Sequence, residues 1–173
     1  MIELDVQNPY EYKSIPNANE LSAWVDAAIQ GHNLSHSLDH KLSIVIRFVN
    51  VEEGKALNQA YRYKKYATNV LSFPFEEPEF TTDITELNEV ISKHLQQQHL
   101  GDIVLCEEIV QKEAAEQNKT LKQHWAHLIV HGVLHLQGYD HLNDEDASLM
   151  ESLEIKILKV LGFEDPYSPV KNC

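Results

Sequence analysis

Cysteine is scarce in this chain. There are two in 173 residues, Cys106 and Cys173. No Cys-x-x-Cys pair occurs, which excludes a thiolate zinc ribbon, a dithiol redox motif and a disulfide framework. Glycine is also thin, at six residues, and none of it forms a phosphate-cradling loop. No apolar run is long enough to cross a bilayer. The opening "MIELDVQNPYEYK" has no basic patch followed by an apolar core, so a secretory leader is not expected. A reducing cytoplasm fits these absences. Positive charge is the last shortage. Fourteen Lys and Arg stand against 27 Asp and Glu, a net charge of −13. That balance argues against wholesale electrostatic capture of nucleic acid but leaves room for a small local basic site. Most of the acids serve solubility.

What the chain does have is apolar content, 43% of its residues, enough to bury a core at the size of one domain. No repeat or low-complexity linker divides it. "IELDV" alternates as a short strand. "NANELSAWVDAAIQ" offers Asn17 as a cap, Glu20 three residues later, and apolar Leu21, Trp24, Val25 and Ala28 at helical spacing. "KLSIVIRFVN" is β-branched and reads as a strand. "EEGKALNQAYRYK" reads as a helix packed through Leu57, Ala60 and Tyr61. "TNVLSFPF" is extended, and Pro74 marks an edge or a strand end. "GDIVLC" is a buried strand, followed by helical "EEIVQKEAAEQ". Between Pro78 and Leu100 lies a polar surface excursion, in which Asp83 or Thr85 would cap a short helix. "TLKQHWAHLIVHGVLHLQG" is the strongest helix. Trp125, Leu128, Ile129, Val133, Leu134 and Leu136 cover much of its circumference, and Gly138 is placed to end it. A last helix starts at Asn143, with acids in its first turn, and stops at Gly162. The class is α+β or mixed α/β, a small sheet covered by about five helices.

Ten histidines are many for this length, and four fall between His124 and His135. The stretch "HGVLHLQGYDH" sets His131 and His135 four apart, on one helix face and about one turn from each other. A chain leaving the helix at Gly138 can double back, because glycine tolerates backbone angles that other residues resist. His141 then completes a trio of imidazoles. Three protein ligands and one open position make a catalytic zinc site. The spacing is that of one zinc-protease class, HExxHxxGxxH, but Gly132 stands where the water-activating glutamate belongs. The ligand geometry survives without the peptidase chemistry. A lone buried histidine is more often a hydrogen-bonded core residue, yet three at ligand spacing around a helix-ending glycine favour a metal. His124 and His127 lie within about 40° of His131 around the helix. Both read as packing residues, with a supporting role behind the site as the other possibility, more open for His127. Asp140 is a base, an acceptor for His141, or a turn carboxylate capping the next helix; the sequence leaves these open.

These residues carry a resemblance. "HGVLHLQGYDH" resembles the H-G-x-L-H-L-x-G-Y-D-H signature of the YbeY family of bacterial metal-dependent endoribonucleases. "LNQAYRYKKYATNVLSFPF" is similar to the family's Asn-x-x-Tyr-Arg segment leading into T-[ND]-V-L-S-F-P. "LGDIVLC" and "MESLEIKILKVLGFEDPY" resemble the strand and the C-terminal helix that follow. Most of Leu42 to Tyr167 is covered. The resemblance implies a single metallohydrolase domain over residues 1–173, with a mostly parallel mixed sheet. It implies one zinc ion on His131, His135 and His141, and cleavage of single-stranded RNA in maturing the small-subunit rRNA 3′ end and in ribosome quality control. The partners implied are rRNA and the small ribosomal subunit or its assembly proteins, with no membrane and no DNA. The family's important arginine falls on Arg62. Two departures stand out: Lys65 replaces a frequent aspartate, and residues 79–98 read as a surface insertion.

Chemistry from the residues agrees. Zinc lowers the pKa of a bound water from about 16 to about 7. Phosphodiester cleavage also needs positive charge where negative charge builds up, and the guanidinium of Arg62 suits phosphate oxygens. Lys64 and Lys65 guide a backbone or are a solvated helix end. Asn69 and Ser72 bind phosphate or ribose, or serve the strand's own backbone. Against the RNA hydrolase stand a zinc hydrolase of another substrate, most simply a peptide, and a ribosome-assembly factor whose zinc only holds the fold.

Overall fold

The computed structural model describes residues 2–31, 41–64, 66–76 and 97–168. Four strands form one sheet in the order β1-β2-β4-β3. They are β1 (Ile2–Gln7), β2 (Lys41–Val49), β3 (Val70–Pro74) and β4 (Gln97–Cys106). β1 and β4 run parallel to β2, and β3 lies antiparallel along the outer edge of β4. Among the described residues there are five helices: α1 (Ala18–Gln30), α2 (Val51–Arg62), α3 (Glu107–Glu116), α4 (Leu121–Leu136) and α5 (Asp144–Val160). The expected α+β class, with a small and mostly parallel mixed sheet, is the observed one.

Strand alternation assigns the two faces. Ile44, Ile46, Phe48, Ile103 and Leu105 point into the main core with Trp24, Trp125, Ile129 and Ile157 from the helices. Val49, Leu71, Val104 and Cys106 face the other way and meet Leu57 of α2. α4 runs through the middle, packed on β3, β4, α1, α3 and α5. Trp125, Leu128, Ile129, Val133, Leu134 and Leu136 are all buried, as its apolar circumference predicts. Asn17 and Glu20 form the predicted capping box on α1. Asn143 caps α5 by accepting from the Asp146 N–H.

α2 departs from expectation. It buries Gly54 and Asn58, with Leu57 half-buried, while Ala60 and Tyr61 are exposed. The reason is a close approach: a Cβ on Gly54 would touch Val49, Ala67 and Cys106, so the helix rests on its glycine side. The predicted excursion at 79–98 lies outside the described residues, except that Gln97 and Gln98 begin β4.

The register of β2 on β4 shifts between Ser43 and Ile44, and Gly101 takes φ 146° at this irregularity. A Cβ there would sit 2.3 Å from the Phe73 carbonyl oxygen of β3. Gly101→Ala is therefore expected to cost roughly 2–3 kcal/mol, from left-handed strain and a backbone collision together. Urea unfolding midpoints check it. An unchanged midpoint would mean that β3 does not pair where it is placed.

Candidate metal centre and its cleft

Two histidines of the site come from α4 and one from the turn beyond it. His131 and His135 lie one turn apart, with ring centroids 4.6 Å from each other. α4 then ends in a left-handed cap. Gly138 takes φ 98°, its N–H donates to the His135 carbonyl at 3.0 Å, and the Tyr139 N–H donates to the Leu134 carbonyl at 3.2 Å. The chain reverses and brings His141 back, its ring 5.1 Å from His135 and 5.7 Å from His131. One ring nitrogen from each of the three lies within 4.8 Å of the others. The i,i+4 spacing and the glycine-led return thus do what the sequence predicts of them.

Electrostatics prepare these rings for a cation. Burial pushes the His135 pKa down to about 4, helped by repulsion from His131 and His141. At neutral pH His135 is therefore an unprotonated imidazole with a free lone pair. His131 is held from behind. Its Nδ1 donates to Glu154 of α5, which leaves Nε2 as the ligand atom. Glu154 is fully buried and also receives His127 Nε2, at 3.3 Å, and the Tyr167 hydroxyl. Burial alone would raise the Glu154 pKa. The donors His127, His131 and Tyr167 outweigh it and bring it down to about 2, so this carboxylate is charged. The residues present fit a divalent ion that takes nitrogen ligands: three imidazoles, one neutral and one oriented by a carboxylate. No thiolate and no fourth histidine joins the cluster among the described residues.

Glu154 is the residue beside the candidate site that sequence reasoning did not name. It lies 23 residues beyond His131, on another helix. A signal was there: Met150, Ile157 and Leu158 form the buried stripe of α5, and Glu154 interrupts it with a charge. His127, for which packing is the favoured reading, also bonds to Glu154, behind His131. His124 has the packing role expected, buried and bonded to Glu113 at 2.7 Å.

The three histidines open onto a cleft of about 750 Å³, walled on the far side by the C-terminal end of α2 and by β3. Arg62 and Lys64 line it, as do Asn69 and Ser72. Arg62 donates from Nη2 to the Ser72 carbonyl at 3.1 Å. That bond fixes the side chain and leaves its other N–H groups available. Asn69 and Ser72 are already engaged. Asn69 accepts from the Val70 N–H and donates to Glu113; the Ser72 hydroxyl donates to the Gly132 carbonyl at 3.4 Å. Asn69 thus serves its strand's backbone, one of the two readings left open for it, whereas Ser72 bonds to α4. Asp140 also lines the cleft and accepts from the His141 N–H at 2.8 Å, bracing the turn that carries His141. Lys65 lies outside the described residues.

Gly132, which stands where the protease motif has its glutamate, is closely packed. A Cβ there would lie 3.1 Å from the Ile103 side chain and 3.3 Å from the Ser72 hydroxyl. This face of α4 is pressed onto the sheet, and no glutamate projects from it toward the histidines.

A family model described as "Endoribonuclease YbeY" matches residues 5–162. Proteins of that description are similar over nearly the whole length. One from Pseudomonas putida is 43% identical over 172 residues, covering 99% of this chain and 97% of its own. One from Coxiella burnetii is 43% identical over 168 residues, covering 96% and 99%. A Thermotoga maritima protein solved in solution shares the fold, with a TM-score of 0.51 at 21% identity, covering 97% of this chain and 99% of that one.

Proposed function

The chain belongs to the YbeY endoribonuclease family, and from that premise we propose that it is a zinc-dependent endoribonuclease. It cuts single-stranded RNA, in maturation of the small-subunit rRNA 3′ end and in ribosome quality control, in the cytoplasm. One observation carries this reading: three converging imidazoles share a cleft with a guanidinium that is already anchored on one side.

His131, His135 and His141 would hold the ion. Bound there, zinc would supply Lewis acidity and lower the pKa of water toward neutrality. The remaining work falls to the chain. Glu154 keeps the proton of His131 on Nδ1, which leaves Nε2 as the base that would bind the ion. Asp140 steadies His141 through the backbone. Arg62 offers its unused N–H groups to the non-bridging phosphate oxygens and stabilises the charge that builds on them. No helix among the described residues is long and apolar enough to cross a membrane.

Net charge sets the context. At −13 the whole molecule repels RNA at long range, so free RNA binds weakly and the enzyme works best when a subunit or an assembly protein brings the strand to it. A peptide substrate is disfavoured by the glycine at position 132 and by Arg62 across the cleft.

The test is Arg62→Ala beside Arg62→Lys, assayed on a single-stranded rRNA fragment and on casein. Arg62→Ala is expected to lower kcat on RNA by about 10²–10³ with metal content unchanged. Lysine restores part of that loss, because it returns charge without the planar fork. Casein stays intact throughout. Full RNA cleavage by Arg62→Ala, or digestion of casein by the wild type, would overturn the proposal.

A further inference from the structure

α2 ends in a conformation that its sequence makes costly. Tyr63, directly after the last helical residue, takes φ 58° and ψ 25°. Glycine usually fills this left-handed position, because a Cβ crowds the following carbonyl. Packing does not compensate. The Tyr63 side chain is 89% exposed, the most exposed large apolar or aromatic side chain among the described residues. Residues beyond Tyr63 are bonded back to α2. The Lys64 N–H donates to the Asn58 carbonyl at 3.3 Å, and the buried Asn58 amide donates to the Tyr66 carbonyl at 2.6 Å. Tyr66 is 57% exposed and lines the cleft of the three histidines, with the Lys64 ammonium 6.0 Å from its ring centre. Two open rings thus alternate with Arg62 and Lys64 after α2: Tyr66 lines the cleft, and Tyr63 lies three residues before it.

We propose that Tyr63 and Tyr66 are a base-stacking platform, and that the enzyme's preference for single strands originates there. The inference rests on the ribonuclease reading and names the contact that reading lacks. Aromatic rings alternating with cations are what sequence-tolerant binding of single strands uses: the cations track phosphates and the rings take the faces of bases. A duplex keeps those faces stacked inside and cannot use the platform. Charge decides between RNA and a protein as occupant. The exposed groups interleaved with these rings, Arg62 and Lys64, are cations in a strongly acidic molecule, which matches a phosphate backbone.

The decisive variant is Tyr63→Gly, because it removes the ring and also relieves the backbone. Steady-state cleavage of a labelled single strand of about 12 nucleotides is measured with the metal-loaded enzyme. KM is expected to rise about tenfold, while the melting temperature stays level or rises. Tyr63→Phe and Tyr66→Phe keep the wild-type KM, and Tyr66→Leu raises it. An abasic strand raises KM for the wild type but adds little to the double variant Tyr63→Gly/Tyr66→Leu. If the wild type cleaves RNA and Tyr63→Gly has the same KM, the platform is wrong and the ribonuclease reading stands. If that variant instead loses capture of a ribosomal assembly protein, the rings belong to a protein surface and the proposal is likewise overturned. If the wild type neither binds nor cuts the strand, both readings fall.

Discussion

His135→Ala is expected to lose its ion and its RNA cleavage together, with the rate falling by at least about 10³. The size follows from what the ion supplies. Lewis-acid stabilisation is worth several kcal/mol of the barrier, and each 1.4 kcal/mol is about tenfold in rate. His135 is the sharpest of the three to remove. It is the ring that burial keeps unprotonated at neutral pH, with its pKa near 4, and it is the one in closest ring contact with both neighbours. Metal content by mass spectrometry and cleavage of a single-stranded fragment are read on the same preparation. The variant should remain folded, because the core of α1, α4 and α5 against the sheet includes none of the three histidines. That separates a catalytic ion from one that only holds the fold: a structural ion would take the melting transition with it when removed. A variant that binds no zinc yet cuts at the normal rate would end the metal mechanism.

Much of this site was open to reading from the chain because its parts are local. His131 and His135 follow from helical periodicity, and His141 from a glycine that lets the helix double back; all three lie within eleven residues. The fold was legible for the same reason, since β2, β4 and α4 each carry one periodicity along an unbroken run. What stayed hidden was tertiary. Nothing local to α2 says that Gly54, rather than Tyr61, meets the sheet; β-strand Val49 and Cys106 decide it from a distance. Nor does any motif connect Glu154 to His131. The only trace is a charge in the apolar stripe of α5, and charges of that kind are usually resolved by a partner that one sequence cannot name. The arrangement at the end of α2 was half legible. The cations Arg62 and Lys64 were evident, but the left-handed Tyr63 became visible only with the backbone.

Glu154 gives the second large effect, and its two substitutions separate stability from metal affinity. Glu154→Ala removes a fully buried carboxylate that accepts from His127, His131 and Tyr167. Three donors lose their acceptor and a cavity opens beneath α4. The expected cost is about 3–5 kcal/mol, the range for breaking a buried charged network by removing one partner. Glu154→Gln keeps the volume and one acceptor oxygen but not the charge. It should stay folded and bind zinc about 10–100-fold more weakly, because the Nδ1–H of His131 then faces a neutral amide and its Nε2 becomes a poorer base. Chelator competition reads the affinity, and chemical denaturation of the metal-free protein reads the stability. Tyr167→Phe, which removes one of the three donors from the far side, should weaken zinc binding less than Glu154→Gln does. If Glu154→Gln kept the wild-type zinc affinity, the carboxylate would be serving only the packing of α5 on α4, and His131 would be oriented by its helix alone.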